Sequence, residues 1–97
     1  MDRAEAIAKL REHEAELKKL GVERLYIFGS TARDEAKPDS DVDLFFDHPE
    51  GSLGLYELMD VRERAAKILG CKADVMTRRS LHRVLRKRIE ASALQVF

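Results

Sequence analysis

Apolar residues recur every three or four positions in three parts of the chain, a spacing that places them on one face of a helix. This pattern predicts helices over residues 2–20, 52–69 and 80 to about 91. Gly21 and Gly70 directly follow the first two segments, where glycine commonly ends a helix in the left-handed conformation. The residues expected to cap the three helix starts are Asp2, Ser52 and Ser80. Three amphipathic helices need a second layer against which to bury their apolar faces.

Short runs rich in β-branched and aromatic residues lie between these helices and are typical of strands. They predict strands over residues 22–28, 41–46 and 72–76, with a short helix over residues 30–36 after the first strand. The apolar run at residues 93–97 is expected either to add an edge strand or to dock on a partner. Helices that alternate with three or four short strands predict one two-layer α/β domain that spans the chain.

Composition limits the classes of protein to which the chain can belong. Its 97 residues carry 18 basic and 18 acidic side chains, so the formal net charge is zero and does not indicate a nucleic-acid partner. Cys71 is the one cysteine, which rules out an internal disulfide and favours a reducing cytosol. Since no apolar run is long enough to span a membrane, we expect a cytoplasmic protein without membrane contact.

The stretch from Phe28 to Asp47 carries the candidate chemistry. Gly29 follows an apolar strand and permits a sharp turn, and a helix that begins there would offer free backbone amides and a partial positive charge. Ser30 or Thr31 is expected to cap this helix, and Arg33 in its first turn would add a guanidinium group. A strand, a glycine turn and a helix start in this order predict a phosphate-binding site.

Two aspartates follow the Gly-Ser pair after an interval of ten residues. Asp41 and Asp43 are two positions apart on a predicted strand, so both side chains leave the same face of the sheet. Adjacent carboxylates repel each other, and a hard cation such as Mg²⁺ removes that cost while it also binds phosphate oxygens. A calcium loop that opens at Asp39 is disfavoured, because Leu44 occupies the sixth position, where such a loop needs glycine. The pattern therefore predicts a site for a magnesium-bound nucleotide.

The spacing Gly-Ser, ten residues, Asp-x-Asp resembles the signature of the polymerase-β-like nucleotidyltransferase superfamily. The sequence GSTARDEAKPDSDVDLFFD is similar in particular to the minimal nucleotidyltransferases, or MNT proteins, and the resemblance covers nearly the whole chain. It implies the nucleotidyltransferase fold, a small mixed sheet with helices mainly on one face. It also implies a third carboxylate on a later strand, and Asp74 stands in the expected position.

The resemblance further implies a reaction, a cofactor and a partner. AMP would move from ATP to a hydroxyl acceptor with the help of two Mg²⁺ ions, and Asp74 would also lie close enough to accept the hydroxyl proton. The candidate catalytic residues and metal ligands are Asp41, Asp43 and Asp74. The candidate phosphate ligands are Gly29, Ser30 and Arg33. MNT proteins commonly pair with a HEPN-domain ribonuclease toxin, and the MNT antitoxin adenylylates a tyrosine of that toxin.

The length of the chain leaves no room for a separate acceptor-binding domain, so the acceptor is expected to be small, to be held by another protein, or to lie across an oligomer interface. Two alternatives stay open: an antitoxin that neutralises its partner by binding alone, and an adenylyltransferase that acts on a small molecule. A nucleic-acid-binding module is disfavoured by the neutral net charge and the few aromatic residues.

The last predicted helix combines an apolar stripe with a basic cluster. The stripe consists of Leu81, Val84, Leu85 and Ile89. The cluster consists of Arg78, Arg79, Arg83, Arg86, Lys87 and Arg88. These cations are expected to form a solvated helix face, or to contact either the triphosphate or an acidic partner.

Overall fold

Four short strands form one mixed sheet in the computed structural model, which describes residues 2–35, 41–51 and 53–97. The strands are β1 (Arg24–Phe28), β2 (Val42–Asp47), β3 (Ala73–Thr77) and β4 (Leu94–Gln95). They are ordered β3-β2-β1-β4, with β1 antiparallel to β2 and β4 and with β2 parallel to β3. The three predicted strands are confirmed within two residues at each end, and the last apolar run forms the edge strand β4.

Helices connect these strands and cover the sheet. The described residues contain α1 (Arg3–Glu12), α2 (Glu14–Lys19), α3 (Gly29–Ala32), α4 (Leu55–Leu69) and α5 (Arg86–Ser92). A 3₁₀ turn, Arg78–Ser80, directly follows β3. Because β2 and β3 are parallel, the chain must cross over between them, and α4 forms this crossover. Gly70 ends α4 in the left-handed conformation (φ 72°), as predicted.

The core lies between one face of the sheet and the helices α1 and α4. Alternate residues of β2 point into it, and Val42, Leu44 and Phe46 are at most 1% exposed. The buried helix residues that meet them are Ala6, Leu10, Val61, Ala65 and Leu69. Full burial of one large apolar side chain stabilises a fold by roughly 1.5–3 kcal/mol. The predicted two-layer fold, a small mixed sheet with helices mainly on one face, is confirmed.

The first predicted helix is broken at His13, so residues 2–20 form α1 and α2 in place of one continuous helix. His13 leaves the helical conformation, with φ −109° and ψ 20°. Its ring nitrogen Nδ1 lies 3.0 Å from the carbonyl oxygen of Lys9, which a backbone amide would bind in a regular helix. The His13 amide instead donates to the carbonyl of Leu10, at 3.1 Å. The ring thus takes the place of a backbone donor and ends the first helix.

The crossover helix α4 begins later than predicted. Gly54 precedes it, and the Gly54 amide donates to the Glu57 carboxylate at 3.1 Å. The predicted cap, Ser52, lies outside the described residues. The first turns of α4 extend past the core, and their apolar residues are exposed: Leu55 at 68%, Tyr56 at 80% and Met59 at 52%.

The last helix begins at Arg86, and the prediction that it starts at a Ser80 cap is wrong. Thr77 Oγ1 accepts the Ser80 amide at 3.2 Å and so caps the 3₁₀ turn instead. Leu81 then adopts an extended backbone and enters a buried position, where it is 5% exposed. Val84, by contrast, is 80% exposed. The apolar positions that suggested a helical stripe therefore belong to different environments.

Candidate active site

The sheet register brings the predicted carboxylates to one face, opposite the helices α1 and α4. Asp41 lies next to the start of β2, and Asp43 follows two residues later on the same side of the strand. Asp74 on β3 is the register partner of Asp43, and neighbouring strands lie about 4.8 Å apart. Phe28 on β1 is the partner of Asp43 on the other side. All three predicted aspartates thus occupy one corner of the sheet.

The Asp43 carboxylate is held in an unfavourable electrostatic environment. Burial raises the pKa of Asp43 above its ordinary value, and repulsion from Asp74 and Asp41 raises it further. The Arg33 guanidinium partly offsets this shift. Lys72 lies 3.8 Å from Asp41, but its side chain is 82% exposed and this pair is weak. A cation bound at this corner would remove the repulsion that raises the pKa of Asp43.

The corner fits a hard divalent cation in its donor chemistry, although the side chains are not clustered around a common centre. Carboxylate oxygens are the ligands that Mg²⁺ prefers. Among the described residues, however, no group of three or more His, Cys, Asp or Glu side chains is arranged to hold a metal ion. A metal site here would therefore require the three side chains to converge.

Gly29 lies directly against the Asp43 carboxylate. Its φ of 74° is in the left-handed region, and a Cβ atom built on it would overlap Asp43 Oδ2. A glycine is therefore needed here for both its conformation and its lack of a side chain. The predicted phosphate turn and the predicted carboxylate corner are in contact.

The predicted side-chain cap of the helix after this turn is wrong. Because Gly29 itself begins α3, Phe28 occupies the N-cap position and offers no side-chain acceptor. Ser30 is half-buried within the helix, and Thr31 is buried with no hydrogen-bond partner for Oγ1 among the described residues. The helix ends at Ala32, and the rest of the segment predicted to be helical reaches outside the described residues at position 36.

A cleft of about 220 Å³ opens beside Gly29. Its α3 side contains Arg33, which is exposed and donates from Nε to Glu35 at 3.1 Å. Its opposite wall is one face of the last helix, with residues at helical spacing: Leu85, Arg88, Ile89 and Ser92. Phe28 contributes an aromatic surface next to Asp43. The cleft therefore combines apolar surface with two guanidinium groups beside the carboxylate corner.

Sequence reasoning named Gly29 and Arg33 as candidate phosphate ligands and Arg88 as a possible triphosphate contact, but it did not predict that Leu85, Ile89 and Ser92 lie beside them. The wall carries a sequence signal, since residues 85, 88, 89 and 92 share one face of a helix. Larger space exists elsewhere, in a groove of about 380 Å³ that contains none of the predicted site residues. That groove is lined by Leu20, Asp60, Glu63, Arg64 and Lys67. We regard the smaller cleft as the candidate site because it adjoins Asp43.

Arg78 fixes the helix wall to the sheet. Its guanidinium donates to both Asp47 oxygens, at 2.7 and 3.1 Å, and to Glu90 of α5 at 2.6 Å. It also lies over the rings of Tyr26 and Phe45, 4.8 and 5.0 Å from their centroids. The hydrogen bond to Asp47 raises the pKa of Arg78 above its ordinary value, so the cation is permanent. Arg78 is therefore occupied by internal contacts.

A second arginine strengthens this connection. Arg86 donates from Nε to the other oxygen of Glu90, at 2.9 Å. The hydrogen bond from Arg78 lowers the pKa of Glu90, and that from Arg86 lowers it further. For Arg78 and Arg86 the expectation of a solvated basic face or of a free contact surface is wrong, because both are bound to carboxylates of the same chain.

Comparisons with known proteins place these features in a family. Residues 10–96 match the nucleotidyltransferase domain family. A protein of Methanocaldococcus jannaschii, named as a candidate protein adenylyltransferase, is 40% identical over 80 residues, which cover 82% of this chain and 85% of that protein. A solved structure of a candidate minimal nucleotidyltransferase gives a TM-score of 0.83 at 30% identity, and the match covers 97% of this chain and 95% of that chain.

A solved structure with lower sequence identity shares the fold and contains a toxin–antitoxin complex. The complex of a tri-AMPylated HEPN toxin of Shewanella oneidensis with its MNT antitoxin contains a chain that matches with a TM-score of 0.64 at 18% identity. The match covers 90% of this chain and 68% of that chain. Within the part of the chain that the structure describes, no helix is long and apolar enough to cross a membrane.

Proposed function

The chain belongs to the nucleotidyltransferase family, among its minimal members, and from this premise we propose that it transfers AMP from ATP to a tyrosine hydroxyl of a HEPN-type toxin. The observation that carries the proposal is the corner at which Asp43 meets Asp74 across the sheet and Gly29 across the turn. Such a corner joins a candidate phosphate site to candidate metal ligands, which phosphoryl transfer requires together.

Asp41, Asp43 and Asp74 would hold two Mg²⁺ ions, which supply charge stabilisation to the reacting phosphate when bound. The raised pKa of Asp43 supports this assignment, because carboxylates that repel one another are stabilised by a shared cation. Binding of the cation would draw the three side chains together from their present separate positions. The sheet itself would not change, because Asp43 and Asp74 project from two strands that are already paired.

The cleft beside Gly29 is proposed to hold the nucleotide. Arg33 and Arg88 would pair with phosphate oxygens, for which guanidinium groups are suited. Phe28 and Leu85 would supply apolar surface to the nucleoside. Ser30 remains a candidate phosphate ligand because it directly follows Gly29.

In the transfer step, the acceptor oxygen forms a bond to the α-phosphorus while the bond from that phosphorus to the bridging oxygen breaks. Pyrophosphate leaves with the bridging oxygen and its electron pair. Asp74 is exposed on the face that carries Asp43 and is proposed to accept the proton of the acceptor hydroxyl. The products are an AMP-modified tyrosine, pyrophosphate and one proton.

The choice of a HEPN toxin as acceptor is supported by the complex of the MNT antitoxin with its AMPylated toxin, which shares this fold. Modification of the toxin would make this chain an antitoxin. Its site is proposed to act on a protein partner in the cytoplasm, without membrane and without direct contact to nucleic acid.

The test is intact-mass spectrometry of purified HEPN-domain proteins from the same organism, after incubation with this protein, ATP and Mg²⁺. We expect the acceptor to gain one or more AMP masses. The double variant Asp41→Asn/Asp43→Asn should reduce the gain to background, because it removes two of the three carboxylates. Asp60→Asn, at an exposed position on α4, is the matched control and should transfer AMP normally.

Two results would contradict the proposal. Undiminished transfer by the folded double variant would exclude the carboxylate assignment. A stable complex without added mass would instead indicate an antitoxin that neutralises its partner by binding alone. Circular dichroism of each variant would confirm that the fold is retained.

A further inference from the structure

Positive charge is concentrated in one segment of a chain whose net charge is zero. Between Asp74 and Glu90 the sequence contains six Lys and Arg residues and no acidic residue. Arg78 and Arg86 are bound to internal carboxylates, and Arg79 lies 3.8 Å from Glu50. The remaining cations have no ion-pair partner among the described residues: Arg83, Lys87 and Arg88. Free positive charge is thus collected on and just before α5.

These cations surround exposed aliphatic side chains. Val84 is 80% exposed and Leu85 is 44% exposed, and the two directly follow Arg83 in the chain in that order. We name the exposed set Arg83, Val84 and Lys87 the α5 outer surface. An exposed aliphatic residue among unpaired cations resembles the surfaces through which proteins bind other proteins, where an apolar centre is bordered by charge. Such a surface is complementary to an acidic segment that also carries an apolar side chain.

The α5 outer surface is continuous with the candidate site. Leu85 and Arg88 line the cleft with Gly29, whereas Arg83 and Lys87 lie on the solvent side of the same segment. A polypeptide bound along this segment would therefore pass the mouth of the cleft. Arg78 holds α5 to the sheet through Glu90, so the surface is fixed relative to the cleft.

We propose that the α5 outer surface docks the acceptor protein through an acidic segment next to its acceptor hydroxyl. This inference rests on the proposed AMP transfer and adds to it the chemistry by which the acceptor is recognised. Opposite charges accelerate association and fix the orientation of the partner. The surface thus positions the acceptor, while the carboxylate corner carries out the transfer.

A protein fits this surface better than a nucleic acid does. Single-stranded nucleic acids are bound by aromatic side chains that stack on bases, and residues 78–92 contain no Phe, Tyr or Trp. The free cations are three, and they enclose aliphatic side chains that have no role in phosphate binding. RNA binding is therefore treated as a competing outcome of the test.

The decisive variant is Arg83→Glu/Lys87→Glu. It reverses the two charges of the α5 outer surface and leaves the cleft residues, including Arg88, in place. Both positions lie near the N-terminus of α5, where acidic residues are favourable, so the helix is expected to remain folded. The matched control is Lys19→Glu/Lys67→Glu, which makes the same change in net charge at exposed positions on α2 and α4. AMP incorporation is measured against the concentration of the HEPN-type acceptor, and ATP affinity is measured by calorimetry.

We expect the KM for the acceptor to rise at least about tenfold in Arg83→Glu/Lys87→Glu, with kcat and ATP affinity within about twofold of the unmodified chain. The control pair should leave all three quantities unchanged. Added salt should raise the KM of the unmodified chain toward that of the variant, because exposed charges are screened.

Other outcomes would overturn the docking proposal. An unchanged acceptor KM excludes the surface as a docking site, and a loss of ATP affinity alone would assign these cations to the nucleotide. Binding of a single-stranded RNA that is lost only in Arg83→Glu/Lys87→Glu would assign them to nucleic acid. If the unmodified chain transfers no AMP, the proposed function fails, but docking can still be tested. Sedimentation should then show a complex of the unmodified chain with the HEPN-type protein that is lost in Arg83→Glu/Lys87→Glu.

Discussion

At the scale of single residues, Gly29 and Asp43 restrict one another. Gly29 has positive φ, and the space that its side chain would fill is taken by the Asp43 carboxylate. Gly70 has nearly the same backbone conformation, with φ 72°, but nothing lies within 4 Å of the position of a Cβ atom there. The two glycines therefore separate the conformational cost of a side chain from its steric cost.

Replacement by alanine is expected to have different effects at these two positions. Gly70→Ala should lose roughly 1–2 kcal/mol of stability, because it places a side chain in the left-handed region, and Gly29→Ala should lose at least as much, because its side chain also overlaps Asp43. Gly29→Ala should also displace the Asp43 carboxylate and abolish AMP transfer, whereas Gly70→Ala should retain transfer. Thermal unfolding and the mass assay measure the two effects. Equal activity of both variants would show that the contact with Asp43 has no role in the reaction.

At the scale of secondary structure, the attachment of α5 depends on charged contacts. The folded state lowers the pKa of Glu90, so it binds the Glu90 proton less tightly than the unfolded chain does. The stabilisation is therefore present above the ordinary pKa of 4.5 and is lost as pH falls through the lower folded value. Because Glu90 lies on the helix that forms the cleft wall, its protonation should loosen that wall.

The variant Glu90→Gln tests this attachment. We expect its Tm to be a few degrees below that of the unmodified chain at pH 7, and the difference should shrink below pH 4.5 and vanish once Glu90 is protonated in the folded state as well. Its KM for ATP should rise more than its kcat falls, since the cleft wall is displaced while the aspartates remain. Glu63→Gln is the control, because Glu63 is exposed and lies 3.9 Å from Lys67. A difference in Tm that persists at low pH would contradict the ion-pair explanation.

Sequence patterns predicted the strands and the crossover helix because these elements bury a regular face. Val42 and Leu44 alternate in the manner that a half-buried strand requires, and the site aspartates follow from the same alternation. The start of the last helix was predicted too early because Leu81 is buried although its backbone is extended. Its spacing from the next apolar residues is the same as in a helical stripe. The interruption at His13 depends on one ring that binds a backbone carbonyl, and periodicity contains no signal for such a contact.

The candidate site was predicted only in part, for a comparable reason. The Gly-Ser turn and the paired aspartates are close in sequence, so their spacing is visible. The cleft wall comes from α5, about 55 residues beyond Gly29, and its position depends on the tertiary contacts of Arg78. Arg88 could be identified as basic, but its place in the cleft could not be predicted without the fold.

At the scale of the whole molecule, the core is completed by the last strand. Val96 is 1% exposed, its amide donates to the Leu25 carbonyl at 2.7 Å, and its carbonyl accepts a hydrogen bond from Arg11 Nε at 2.7 Å. Leu94 on the same segment is 38% exposed. The last residues thus join the first helix and the central strand in one hydrophobic core.

Truncation of Val96 and of Leu94 to alanine should lower the free energy of unfolding by different amounts. Val96→Ala is expected to lower the free energy of unfolding by about 2 kcal/mol, because it leaves a cavity among close-packed side chains. Leu94→Ala should have an effect of less than about 1 kcal/mol, since its side chain is partly solvated. Denaturant titration followed by circular dichroism measures both. A larger loss in Leu94→Ala would contradict the assignment of Val96 to the core.

The sheet order has a consequence for the synthesis of the chain. Of the described strands, β1 is made first, whereas its neighbour β4 is made only after β2, α4 and β3. At 5–20 residues per second, the interval between Phe28 and Leu94 lasts roughly 3 to 13 s. During that time one edge of β1 has no strand to pair with, and unpaired edges promote association with other chains. The nascent protein is therefore open to association through this edge of β1 until β4 has been made and has paired with it.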